Sequence, residues 1–133
     1  ISCSAGQVPH DNGLSCITCS AGTYSIVGDD SCSPCAAGLY SSSGAGICSY
    51  CGPGTYSNAG SSNCTACPDG QVSSTGAASC SDCVAGKYDD GNNACQLCEA
   101  GKFSAAGSIT CDGDCPAGTF GESGSVICSN CEA

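Results

Sequence analysis

A cysteine pair, C-x2-C, returns every 16 residues from one end of this sequence to the other, and it limits the possible folds more than any other feature. It stands at Cys16/Cys19, Cys32/Cys35, Cys48/Cys51, Cys64/Cys67, Cys80/Cys83, Cys95/Cys98, Cys111/Cys115 and Cys128/Cys131, with Cys3 as the second member of a pair cut short. A fixed period of this length is the mark of a repeat architecture, in which each unit is too small to bury a core alone. The step shortens by one at Cys95 and lengthens by one at Cys128. The pair at Cys111 holds Asp112, Gly113 and Asp114 instead of two residues.

Two further positions keep step with the cysteines. Three residues after the second Cys there is always a glycine, from Gly6 to Gly118, and four residues before the next pair there is another. Only Asn12 breaks the second series, and Asn is the residue that best tolerates a left-handed backbone after glycine. Both series therefore predict positive φ or an approach too close for a Cβ. Two residues past the first glycine comes the largest apolar group of each unit: Val8, Tyr24, Tyr40, Tyr56, Val72, Tyr88, Phe103 and Phe120. The expected unit is a short strand at that residue, a Gly/Ser turn and a return to the next pair, with little or no helix. The aromatic is expected to be the miniature core of its unit.

Ile, Leu, Val and Phe together number only 16 of 133 residues, and Trp and Met are absent. With a net charge of −10, that composition alone predicts disorder. Seventeen cysteines reverse that expectation, because bridges can replace a core in a small secreted fold and persist only in oxidising compartments. The chain is expected to be extracellular, secreted or cell-surface. No apolar run reaches the length of a membrane span and no leader opens the chain, so mature material with any anchor outside it is expected and direct membrane insertion is not. Lys87 and Lys102 are the only basic residues against 12 carboxylates, which removes the cationic surface that nucleic acid requires.

The pattern C-x2-G-x-[YF]…G-x3-C-x2-C resembles the cysteine-rich repeats of ephrin-receptor-like and tumour-necrosis-factor-receptor-like ectodomains. Similar arrays occur in surface and flagellar-hair (mastigoneme) proteins of protists and algae. The resemblance extends over all eight units, 3–18, 19–34, 35–50, 51–66, 67–82, 83–97, 98–114 and 115–130. Val8 and Val72 at the aromatic position and the widened Cys111/Cys115 pair depart from it. The fold class that follows is a small disulfide-rich, tandem-repeat rod of short irregular strands and turns, each unit touching only its neighbours and the array continuing beyond both ends.

Spacing leaves two pairings open. In one, the second Cys of a pair closes a loop with the first Cys of the next: Cys3–Cys16, Cys19–Cys32, Cys35–Cys48, Cys51–Cys64, Cys67–Cys80, Cys83–Cys95, Cys98–Cys111 and Cys115–Cys128, leaving Cys131 over. In the other, bridges interlock two units, as Cys16–Cys32 with Cys19–Cys35. The resemblance favours the first. Loops of this size each contribute about 3 kcal/mol in the chain-entropy account.

The pairs also have the spacing of four-thiolate zinc sites, but a chain this acidic offers nothing to offset the surplus negative charge. Redox catalysis needs a lowered thiolate pKa, and no helix N-terminus or cation cluster supplies it. His10 is the only histidine, so no Ser/His/Asp or Cys/His set can recur. No enzyme activity, cofactor or metal is expected. Acidic pairs at Asp29/Asp30, Asp89/Asp90 and Asp112/Asp114 match no calcium loop and read as solvated turn residues. Tyr50 falls inside a Cys pair and is the aromatic most expected at the surface. Asn63-Cys64-Thr65 is an N-glycosylation sequon. Serines such as Ser41, Ser42, Ser43, Ser61, Ser62, Ser73 and Ser74, with Thr75, read as turn formers that could carry O-glycans. The functional expectation is a structural segment of a fibre, flagellar hair or surface coat, coated by glycan, with other copies or further repeats as partners. The alternative is a spacer or ligand-binding segment of a receptor-type ectodomain.

Overall fold

The computed structural model describes residues 2–111 and 113–131. Asp112 of the third acidic pair lies outside the described residues. Within them the chain forms sixteen short strands paired into eight separate antiparallel hairpins, with a single 3-10 turn at Asp11–Gly13. In chain order these are β1 (Gln7–His10) with β2 (Ser15–Thr18), β3 (Thr23–Tyr24) with β4 (Ser33–Pro34), and β5 (Leu39–Tyr40) with β6 (Ser49–Tyr50). Then come β7 (Thr55–Tyr56) with β8 (Thr65–Ala66), β9 (Gln71–Val72) with β10 (Ser81–Asp82), and β11 (Lys87–Asp89) with β12 (Cys95–Leu97). The last are β13 (Lys102–Phe103) with β14 (Gly113–Asp114) and β15 (Thr119–Phe120) with β16 (Ser129–Asn130).

A tight turn leads into each of the regular hairpins. In Ser20-Ala21-Gly22-Thr23 the amide of Thr23 donates to the Ser20 carbonyl at 3.0 Å, and Gly22 sits at φ +85°. That is the φ a type II turn demands at its third position, where glycine is the residue without a steric cost. The Thr23 hydroxyl adds a bond to the same carbonyl at 2.7 Å. The apolar residue that follows pairs with the residue two before the second Cys, as Tyr24 with Ser33 and Tyr40 with Ser49. The widened pair keeps this rule: Phe103 pairs with Gly113, two before Cys115, so the register survives.

The structure closes each loop on itself: Cys3–Cys16, Cys19–Cys32, Cys35–Cys48, Cys51–Cys64, Cys67–Cys80, Cys83–Cys95, Cys98–Cys111 and Cys115–Cys128. Of the two pairings open to the sequence, this is the sequential one. Cys131 is free and exposed.

The chain divides into two compact units, residues 1–66 with 74–79 and residues 67–73 with 80–133. In the first, a Cβ on Gly6 would overlap the Gly44 carbonyl, one on Gly22 that of Gly60, and one on Gly38 that of Gly76. In the second, the same holds for Gly70 against Gly107 and Gly86 against Gly124. These contacts join each loop to the next but one. The expectation that repeats touch only their immediate neighbours is therefore corrected: the loops overlap like shingles, and glycine is needed where the second-next loop arrives.

The core is also not the aromatic row. Val8 is buried at 5% exposure, but the tyrosines of that row and Phe103 are half-buried and Phe120 is 48% exposed. Among the described residues the largest fully enclosed side chains are Cys19, Cys35, Cys51, Cys83, Cys98 and Ser25. A 16-residue loop has too little chain to surround a phenol ring, whereas a disulfide sulfur is compact and already at the loop's centre.

Candidate functional site

The interactions that recur from loop to loop are those that fasten the loops, and they decide what the loops leave at the surface. The fastening point is a residue outside the Cys, Gly and aromatic pattern. Six positions after the second Cys stands Ser25, Ser41, Ser57 or Ser104, each buried. The Ser41 hydroxyl donates to the Thr23 carbonyl of the preceding loop at 2.9 Å, and its carbonyl accepts the Gly22 amide at 2.9 Å. Its own amide donates to the Ser61 carbonyl of the following loop at 3.3 Å. Ser25 and Ser57 repeat all three bonds, and Ser104 repeats the two to the preceding loop. One small residue thus joins three consecutive loops. The Ser25 hydroxyl lies 3.4 Å from the Cys19 sulfur. A disulfide sulfur carries no proton, so this is packing contact, and the hydroxyl hydrogen goes to the Gln7 carbonyl. The expectation that Ser41 is a turn former open to O-glycans is corrected: it is buried and fully engaged.

The signal for this serine is present in the sequence, since it recurs at the same step as the cysteines. A second bond per loop follows the turn glycines: Gly44 N–H donates to the Cys19 carbonyl at 2.8 Å, Gly60 to Cys35 and Gly76 to Cys51. Among the described residues no buried side-chain polar atom lacks a partner, as a chain with so little apolar surface requires.

At the surface the same place in two loops forms an open groove of different character. In the first unit it is lined by Tyr24, Pro34, Ala36, Leu39, Ile47 and Tyr50. In the second the equivalent positions are Tyr88, Leu97, Glu99, Lys102 and Thr110. The first is apolar, with Ile47 77% and Tyr50 68% exposed, while the second carries both charges, and Lys102 also reaches Asp114 at 3.5 Å. Tyr50 is thus at the surface, as its place inside a Cys pair implies, and its ring packs on Gly76. Asn63 stands at the position equivalent to Ile47 and Thr110 and is exposed.

Of the acidic pairs, Asp29 and Asp90 act locally, whereas Asp89 is half-buried and accepts the Gly70 amide of the preceding loop at 3.1 Å, which corrects its reading as a solvated turn residue. Asp29 accepts the Ile26 amide at 3.0 Å. Asp90 accepts the Asn92 amide at 2.8 Å and the Gln96 side chain at 3.1 Å, and these bonds, the Asn92 amide foremost, hold its carboxyl below the usual carboxylate range. His10 is exposed and sits 3.0 Å from Asp11.

Single-disulfide loops of nearly one length, fastened by the same turn and by a recurring serine or its substitute, define a cysteine-rich tandem-repeat module. Residues 38–83 match the family model described as tyrosine-protein kinase ephrin type A/B receptor-like. That match and the regular disulfides of about 16 residues fit cysteine-rich ephrin-receptor-like repeats. Comparison with curated proteins returned no match. Eight disulfides and this family point to an extracellular or cell-surface setting. Among the described residues no helix is long and apolar enough to cross a membrane.

Proposed function

We propose that this chain is a structural segment of an extracellular assembly, a disulfide-stapled array within a fibre, flagellar hair or cell-surface coat. The observation that supports it is that loops are joined by backbone groups and one serine, so the same bonds recur whichever side chains face outward. Such a scheme extends by adding loops, without new kinds of contact. No enzymatic activity is assigned, and the partners proposed are other copies or further repeats of the same assembly.

A second reading, a spacer or ligand-contacting segment of a receptor-type ectodomain, is favoured by the family match and by the apolar groove at Tyr24, Leu39, Ile47 and Tyr50. Aromatic residues at an open surface are the usual anchors of a protein interface. Negative-stain electron microscopy of the natively purified, non-reduced protein separates the two. Filaments of regular repeat support the structural reading. Discrete particles bearing globular ends overturn it in favour of the receptor reading.

A further inference from the structure

Asn63-Cys64-Thr65 is the only N-x-[ST] sequence in the chain, and its middle residue is a disulfide cysteine. Asn63 and Thr65 are both exposed, so a glycan on the Asn63 amide meets no packed surface. Thr65, however, lies in β8 and is paired with Tyr56, while Cys64 is tied to Cys51. Once the loop closes, the sequon is held on both sides: its hydroxyl residue by the strand ladder and its centre by the bridge. An enzyme that must draw the asparagine amide and the threonine hydroxyl together into its own site needs that backbone free.

We propose that Asn63 is N-glycosylated and that the sugar is transferred before the Cys51–Cys64 bridge closes. This rests on the reading of the chain as secreted. In the transfer, Asn63 Nδ2 forms a bond to the anomeric carbon of a lipid-pyrophosphate-linked oligosaccharide, the amide loses one proton, and the lipid pyrophosphate departs. In the competing step the Cys51 and Cys64 thiols lose two protons and two electrons to a disulfide donor of the secretory compartment. The loop is short and local, so its two thiols meet often and the oxidant sets the rate of closure, and the two reactions compete for the same three residues. Every other loop lacks a sequon, so only this one carries the competition.

The test offers a purified oligosaccharyltransferase and its lipid-linked donor the full 133-residue chain in two states, oxidised and kept reduced by dithiothreitol. The reduced chain is expected to gain one glycan, absent in Asn63→Gln, at a rate at least about tenfold above the oxidised chain. Cys51→Ser, which leaves the sequon intact and Cys64 without its partner, is expected to be modified under oxidising conditions near the reduced rate. Equal rates for oxidised and reduced wild type, no transfer to either, or an oxidised Cys51→Ser chain as inert as oxidised wild type would each overturn the proposal. A chain that accepts the sugar but forms no disulfides on oxidative refolding would instead defeat the secreted reading.

Discussion

The loop Cys35–Cys48 and the loop Cys83–Cys95 do the same job with different atoms. In the regular loop the amides of the preceding loop are accepted by backbone: Gly22 N–H by the Ser41 carbonyl at 2.9 Å, Ser25 N–H by the Ala45 carbonyl at 3.3 Å. The second loop is one residue shorter, with a cysteine separation of 12 against 13, and has Asp89 where most loops carry serine. There the Asp89 carboxylate accepts the Gly70 amide at 3.1 Å. The Asn93 side chain takes the place of a missing peptide, accepting the Ser73 amide at 2.9 Å and donating to the Ser73 carbonyl at 2.8 Å. The stack therefore demands donors and acceptors at fixed places and is indifferent to whether backbone or side chain provides them, since an unpaired buried amide is costly either way.

The greatest loss should come from removing what both loops share. Reducing all eight bridges should abolish the fold, because nothing else encloses a core; near-native amide protection in excess reductant would show that the loops hold without sulfur. Next comes glycine at a crowded place against glycine at an open one. Gly22→Ala adds a Cβ onto the Gly60 carbonyl as well as left-handed strain, and should cost about 3–5 kcal/mol. Gly101 has the same φ of +85° but no described atom within 4 Å, so Gly101→Ala should cost only about 1–2 kcal/mol. Equal costs, read by hydrogen exchange around each site, would mean that φ alone explains the series and the overlapping loops contribute nothing.

The substitute bonds of the short loop come third. Asn93→Ala removes both contacts to Ser73 and should cost about 1–3 kcal/mol, sensed at Ser73. Ser41→Ala, which removes one hydroxyl bond while leaving two backbone bonds, should cost about 1 kcal/mol. If the order of these two were reversed, the serine would be the dominant fastening and the side-chain repair incidental. The mildest change concerns Asp90. Its carboxyl is lowered in the folded state, so its contribution is present above the ordinary carboxylate value and is lost as pH falls through the folded one. Faster exchange of the Asn92 amide below that range, absent in Asp90→Asn, is the expected outcome.

The period, the two glycine series and the strand at each aromatic residue are legible in the sequence, because they rest on residue types that have few other reasons to recur. Gly22 and Gly44 do have positive φ, and Tyr24 and Tyr40 do lie in strands. The features that are not legible have physical causes. The contact of Gly22 with Gly60 depends on the angle between loops, which no spacing within one loop encodes. Tyr24 reads as a core residue because it is the largest apolar group of its unit, yet enclosure depends on how much chain surrounds a group, and the sulfur of Cys19 is better placed. Ser25 and Ser41 recur in step with the cysteines, but so do the turn serines around them, and the spacing does not say which serine of a loop is buried. Asn93 occurs once, so no periodicity announces it.

Each loop is closed on itself and fastened to the others only through hydrogen bonds and packing, and everything above depends on that separation. Mass spectrometry of the unreduced protein, after cleavage between the two cysteines of each pair, reads it without an intermediary. The expected result is peptides joined as Cys19–Cys32 and Cys35–Cys48, with no covalent link from one loop to the next. Peptides joining Cys16 to Cys32 and Cys19 to Cys35 would contradict it.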